Sequence, residues 1–213
     1  MSKAQSISLA FPIVMNYPKL NRPDIYDGGD PTFKVDGIAV DNDKNRAKLA
    51  QMQELFDEYL EGIPKKKGKP LEEQAFFYDL EDGTLEIRFK NKVYTRKSDG
   101  ELFSMPIAVV DAQGKPLGSI AYDAGIREEG DSTPIEHAKG IPSIGSGTKA
   151  IVNFEARPFK VGNKVGLSLR IKAIKIKELV EYTGASFDDD DEDDDFADVS
   201  SRSATDDEAD DFT

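Results

Sequence analysis

Catalysis and metal binding need particular side chains at particular spacing, and this chain supplies few of them. It has one histidine, His137, set in a polar Gly- and Pro-containing stretch, and no cysteine. Thiolate or His/Cys metal sites and disulfides are therefore excluded by count. The acidic run 188–195 lacks the glycine and the spaced oxygen ligands of a calcium loop. Gly145-Ser146-Gly147-Thr148-Lys149 is superficially similar to a phosphate loop. It lacks the four-residue spacer after the first glycine, and a strand pattern follows where a phosphate loop opens a helix. No catalytic residue, metal or cofactor is expected, and the chain reads as a non-enzyme.

Cations and aromatic rings are better placed. In Leu85–Thr95 the apolar Leu85, Ile87, Phe89 and Val93 alternate with Glu86, Arg88, Lys90, Lys92 and Tyr94, and Arg96 continues the polar side. Further on, Lys149, Arg157 and Phe159 share a side with Lys160 adjacent, and Arg170 and Lys172 share another. Cations track a phosphate backbone, and an exposed ring stacks an unpaired base for roughly 1–3 kcal/mol. These eleven residues form the candidate nucleic-acid surface. The plainer reading is a solvated sheet with Phe159 capping the core. The Lys65-Lys66-Lys67-Gly68-Lys69 run is either a mobile phosphate contact or a solvated loop.

The elements that would position these groups follow from periodicity. Leu49, Met52, Phe56, Tyr59 and Leu60 recur at helical spacing, after Asp41-Asn42-Asp43 cap candidates and before Gly62 and Pro64. This predicts one amphipathic helix over about 43–61. Period-two patterns predict strands at Thr32–Val40 and Leu85–Thr95. A Ser98-Asp99-Gly100 turn then leads into Leu102–Val110 as a hairpin. Two long strands follow around a Gly162-Asn163 turn. In the second, inward Val165, Leu167, Leu169 and Ile171 give way to Ile174 and Ile176, the phase flip of a β-bulge. Around five strands and one helix predict a mainly β domain over 1–185, a five-stranded Greek-key barrel of the OB type. A β-sandwich is the competing architecture. Residues 118–143 read as a surface insertion.

Charge divides the chain unevenly. Residues 186–213 hold 14 acids against one base, Arg202, and account for the whole formal charge of −13. The body is neutral overall, which leaves it free to carry a basic face. The tail cannot bury enough apolar surface to fold. As a coil it would reach roughly 30 Å, against a body radius of gyration of about 16 Å, so it can fold back as a nucleic-acid mimic. Its end, Asp210-Asp211-Phe212-Thr213, sets an apolar anchor among acids, and Asp194-Asp195-Phe196 repeats the pattern. The start lacks the apolar core of a signal peptide and no apolar run is long enough to span a membrane. A soluble cytoplasmic protein without membrane contact is expected.

In this order of segments the chain resembles the single-stranded-DNA-binding proteins of podoviruses. The resemblance is carried by Phe33-Lys34-Val35-Asp36, by Phe76-Phe77 before Asp82-Gly83-Thr84, and by Val109-Val110-Asp111 before Gly114-Lys115. It continues through Pro142–Lys149, Pro158-Phe159-Lys160, Val165-Gly166, Glu178-Leu179-Val180 and Asp193–Asp198 to the Asp-Asp-Phe end. It implies an OB fold with a detachable acidic, aromatic-ended tail, and Phe159 within the DNA-contacting surface. It also implies a homodimer that coats single-stranded DNA in replication, recombination and repair in the cytoplasm of an infected bacterial host, and that anneals complementary strands. Asp210, Asp211 and Phe212 would then dock on the phage DNA polymerase and helicase-primase. The chain departs from the family pattern at Val161, where a second aromatic is expected, and at Thr213, which follows the terminal ring. An acidic-tailed module that binds another protein and no nucleic acid is the competing function.

A tail that competes for a cationic groove has a simple consequence. A chain ending at Ala185 is expected to bind single-stranded DNA more tightly than the full chain in an electrophoretic shift assay. Unchanged or weaker binding contradicts tail competition.

Overall fold

Three phenylalanines from distant parts of the chain meet at the centre of the molecule. Phe154 lies 5.9 Å from Phe11 and 5.0 Å from Phe89 between ring centroids, and all three are fully buried. The computed structural model describes residues 5–25, 31–64, 70–122 and 141–182. Within them Phe11 belongs to strand β1 (Ile7–Asp24), Phe89 to β5 (Thr84–Thr95) and Phe154 to β9 (Lys149–Val161). The chain divides after Tyr182. The predictions on the acidic tail, on His137 and on the lysine run 65–69 lie outside the described residues.

The fold is mainly β with one helix. Beside these strands stand β2 (Thr32–Val40), helix α1 (Asp43–Glu61) and β10 (Lys164–Glu178). Shorter strands are β3 (Glu72–Glu73), β4 (Phe77–Asp79), β6 (Leu102–Ser104), β7 (Ile107–Val110) and β8 (Pro116–Ile120). The described residues thus hold ten strands, not about five, although only β1, β2, β5, β9 and β10 reach nine residues. These five lie side by side in the order β5-β2-β1-β9-β10, with β7 and β8 continuing beyond β10. Neighbours among the five are antiparallel, while β7 runs parallel to β10.

The alternation predicted for β2, β5, β9 and β10 is the one observed. Phe33 and Val35, Leu85 to Val93, Ala150 to Ala156 and Val165 to Ile171 all bury their odd or even set as read. The predicted phase flip in β10 is a register shift against β9 between Ile171 and Ala173, beyond which Ile174 and Ile176 are the buried ones. The helix starts at an Asn42 cap whose Oδ1 accepts from the Asn45 N–H at 3.0 Å, and it stops at Gly62. It buries Leu49, Met52, Leu55 and Phe56, whereas Tyr59 and Leu60 are only half-buried.

Three sequence expectations need correction. Strand β1 was not expected, because Pro12, Pro18 and Pro23 interrupt its pattern. At Pro12 the strand pairs with Ile151 of β9, but pairing with β2 begins only at Val14, so the side without an N–H is not asked to bond. Pro18 falls in the register shift between Asn16 and Lys19. The expected single strand Leu102–Val110 is two: β6 pairs with β5, and beyond Met105-Pro106 β7 pairs with β10. Proline cannot donate to a ladder. Asn91, buried on the inner side of β5, donates Nδ2 to Met105 O at 3.1 Å at this break. Finally, the start of the supposed loop 118–143 belongs to β8, and Ile120, Tyr122 and Ile141 are core residues. Asn21 ties in the far end, donating to Pro142 O and accepting from the Ile144 N–H.

Gly37 shows how tight this core is. A Cβ there would lie 2.7 Å from Ile13 Cδ1 and 3.1 Å from the Phe89 ring. The glycine lets β2 pass between β1 and β5 without prising Phe89 from its partners.

Candidate nucleic-acid interface

Since Leu85, Ile87, Phe89 and Val93 are locked inward, period two sends Arg88, Lys90, Lys92 and Tyr94 to the other face. There they line a cleft of about 570 Å³ together with Phe159 of β9 and Arg170 of β10. Six of the eleven predicted residues, from three strands, thus face one space. Arg96, Lys149, Arg157, Lys160 and Lys172 do not line it.

Two of these residues are held in ion pairs outside the cleft. Arg96 is held at the 96–101 turn, 2.9 Å from Asp99 and 3.6 Å from Glu101, with its guanidinium 5.2 Å from the Phe103 ring. The Asp99 carboxyl is lowered, first by the Glu101 N–H and then by Arg96. Lys149 pairs with Glu178 at 2.7 Å. Arg157, Lys160 and Lys172 are exposed elsewhere on β9 and β10.

Within the cleft the arginines and lysines differ. Arg88 donates Nε to Glu86 at 2.6 Å, lies 3.9 Å from Asp36, and covers the Tyr78 ring at 4.9 Å. Its charge is held more firmly than usual, chiefly by the Glu86 hydrogen bond. Arg170 pairs with Glu155, whose carboxyl is lowered first by a hydrogen bond from Ser6 Oγ. Lys90 and Lys92 make no ion pair within 4 Å among the described residues. The arginines are thus oriented by acids, while the lysines are free to meet an anion.

The rings are positioned by backbone. Phe159 lies opposite Gly166 of β10, where a Cβ would come within 3.1 Å of its ring. The glycine lets the ring lie flat over the strand, half-buried and still lining the cleft. Tyr94 is 48% exposed. Tyr78, missed in the sequence because it sits in the three-residue β4, lines the cleft as a third ring. Arg46 of α1 ties down that strand, bonding Asp41 at 2.7 and 2.6 Å and also Asp79. Val161, where a second aromatic was expected, lines the mouth of the cleft. Among the described residues no cluster of His, Cys, Asp and Glu could hold a metal, and no helix is long and apolar enough to cross a membrane.

Comparison with known proteins gives the same picture. No family model matches the chain. The single-stranded DNA-binding protein of Escherichia phage T7 is 28% identical over 127 residues, 58% of this chain and 46% of that protein. The chain thus matches about half of its curated relative's length. The crystal structure of gp2.5, a single-stranded DNA-binding protein encoded by bacteriophage T7, superposes with a TM-score of 0.57 at 19% identity, covering 95% of this chain and all of that one. In sequence over part of its length, and in fold, the chain is similar to the single-stranded DNA-binding protein of phage T7. The single-stranded DNA-binding protein of bacteriophage Enc34, solved in complex with ssDNA, gives a TM-score of 0.49 at 15% identity over 85% of this chain and 91% of that one.

A likeness at 19% sequence identity shows the fold and not the surface, so the ring positions need testing in this chain. Tyr94→Ala and Phe159→Ala are each expected to weaken binding of a mixed-sequence oligonucleotide by roughly 1–3 kcal/mol. Their melting temperatures should change little, since truncating a buried core aromatic costs about 3–5 kcal/mol of stability. A much lower melting temperature with normal binding by the folded fraction would make that ring a core residue.

Proposed function

We propose that this chain binds single-stranded DNA without sequence preference, coating strands transiently exposed during phage DNA replication and recombination. The observation that carries the reading is the convergence of two free lysines and two oriented arginines with three aromatic rings on one cleft. Cations can meet any phosphate and rings can stack any base, which suits coating. The five long strands are proposed to form a barrel of the OB type, with the cleft on its outer face. On the resemblance read in the sequence, a homodimer, strand annealing, and action in the cytoplasm of the infected cell are proposed with it. The acidic tail is proposed to occupy the cleft when DNA is absent and to dock on the phage DNA polymerase and helicase-primase through Asp210, Asp211 and Phe212.

Charge and ring separate the two tail roles. Fluorescence titration with a mixed-sequence oligonucleotide should lose roughly a hundredfold in affinity between 50 and 200 mM salt, if about five phosphates are neutralised at a slope of about −0.7 each. Phe212→Ala should leave that titration unchanged, because the tail charge is unaltered, while weakening retention of the polymerase in a pull-down. Salt-independent binding or none sinks the nucleic-acid reading. Full retention by Phe212→Ala sinks the docking role.

A further inference from the structure

Lys90 faces the cleft, and the strand register carries its charge away from it. Lys90 lies opposite Lys34 of β2, and Lys34 lies opposite Lys19 of β1. Three lysines therefore stand in one row across three neighbouring strands, about 5 Å apart from strand to strand. Like charges directly opposite one another destabilise a sheet. Asp24, 2.6 Å from Lys34, relieves the middle of the row. Lys19 and Lys90 have no ion pair within 4 Å among the described residues. A polyanion laid along the row would supply the missing counter-charge.

At the far end stands Tyr17, two residues before Lys19. It is 70% exposed, and among the described residues it is the one non-glycine with positive φ, at 44°. That conformation disfavours a bulky side chain and persists only where the surroundings impose it. Here they do. The register of β1 against β2 shifts between Asn16 and Lys19. On the other side the Gly145–Thr148 turn grips the strand: the Met15 N–H donates to Thr148 O at 2.8 Å, and the Gly147 N–H to Met15 O at 2.9 Å. The Tyr17 N–H donates to Ser146 Oγ at 3.0 Å. The turn is itself anchored, with Thr148 Oγ1 donating to Val180 O and accepting from the Val180 N–H. The glycine-serine motif that is no phosphate loop thus buttresses a bulge, and bulges re-aim side chains. This one presents the Tyr17 ring to solvent two residues before Lys19, which ends the lysine row.

We infer that Tyr17 is a further stacking platform for single-stranded DNA, joined to the cleft by the Lys90–Lys34–Lys19 row. The strand then crosses β5, β2 and β1 instead of ending in the cleft. This rests on the nucleic-acid reading above and adds a direction and a length to it.

Titration of the full chain with oligothymidylates of about 5 and about 15 nucleotides, near the limits of what one OB fold covers, tests the path. The short strand fills the cleft alone, whereas the long one reaches Tyr17. Tyr17→Gly removes the ring and accepts the positive φ without strain, so the fold is not put at risk. It should weaken binding of the long strand roughly tenfold and leave the short one unchanged, while Tyr17→Phe matches wild type on both. Lys19→Gln should reduce the salt slope for the long strand by about 0.7. Wild-type affinity of Tyr17→Gly for the long strand overturns the inference. So does an equal loss on both lengths, which would place Tyr17 in the fold. Either result leaves the cleft reading standing, since short-strand binding and its loss in Tyr94→Ala report on that separately. A wild type that binds neither length overturns both.

Discussion

Phe89 packed on Phe154 is the contact on which the binding face depends. The two rings belong to β5 and β9, strands separated in the sheet by β2 and β1, and they meet across the core. Once Phe89 is inside, alternation leaves its neighbours no choice: Arg88 and Lys90 must face out. Slipping β5 by one residue would bury three cations, Arg88, Lys90 and Lys92, and expose the core set, a cost no surface contact could offset. The basic face is thus held in place by hydrophobic burial on the opposite side of the same strand. Gly37 belongs to the same constraint, because any side chain there would push Ile13 and Phe89 apart.

Electrostatics then grades the outward residues. A neutral body can present a cationic cleft because its acids are spent locally on particular partners. Glu86 and Asp36 hold Arg88 over Tyr78, and Glu155 holds Arg170. Asp36 is raised, first by its own burial and against the pull of Arg88. Oriented arginines offer fixed geometry, and unpaired lysines offer charge on flexible stems. Surface pairs of this kind contribute little to stability, which leaves them free to exchange partners with a phosphate.

Much of this was legible in the sequence where one physical rule acted alone. β2 was bounded to the residue, and the bulge in β10 was visible as a phase flip at Ala173-Ile174, because one buried face leaves a period-two record. β1 was not legible, since its prolines break the pattern and are tolerated only by virtue of which sides have neighbours. With β1 went Lys19 and Tyr17. Tyr78 was lost in a strand too short to show a period. Arg96 and Lys149 lie outside the cleft, held by ion pairs at the 96–101 turn and across the sheet to Glu178 that a pattern of residue types does not show. The cleft itself joins β5 to β9 and β10 through topology that periodicity does not specify.

If the alternation of β5 creates the binding face, position and not mere positive charge determines affinity. The direct measurement compares two double charge reversals by titration with one oligonucleotide at low salt. Lys90→Glu with Lys92→Glu alters the cleft, and Lys160→Glu with Lys172→Glu changes net charge equally on exposed residues outside it. A loss of roughly tenfold or more is expected for the cleft pair and a far smaller one for the other. Equal losses would contradict it.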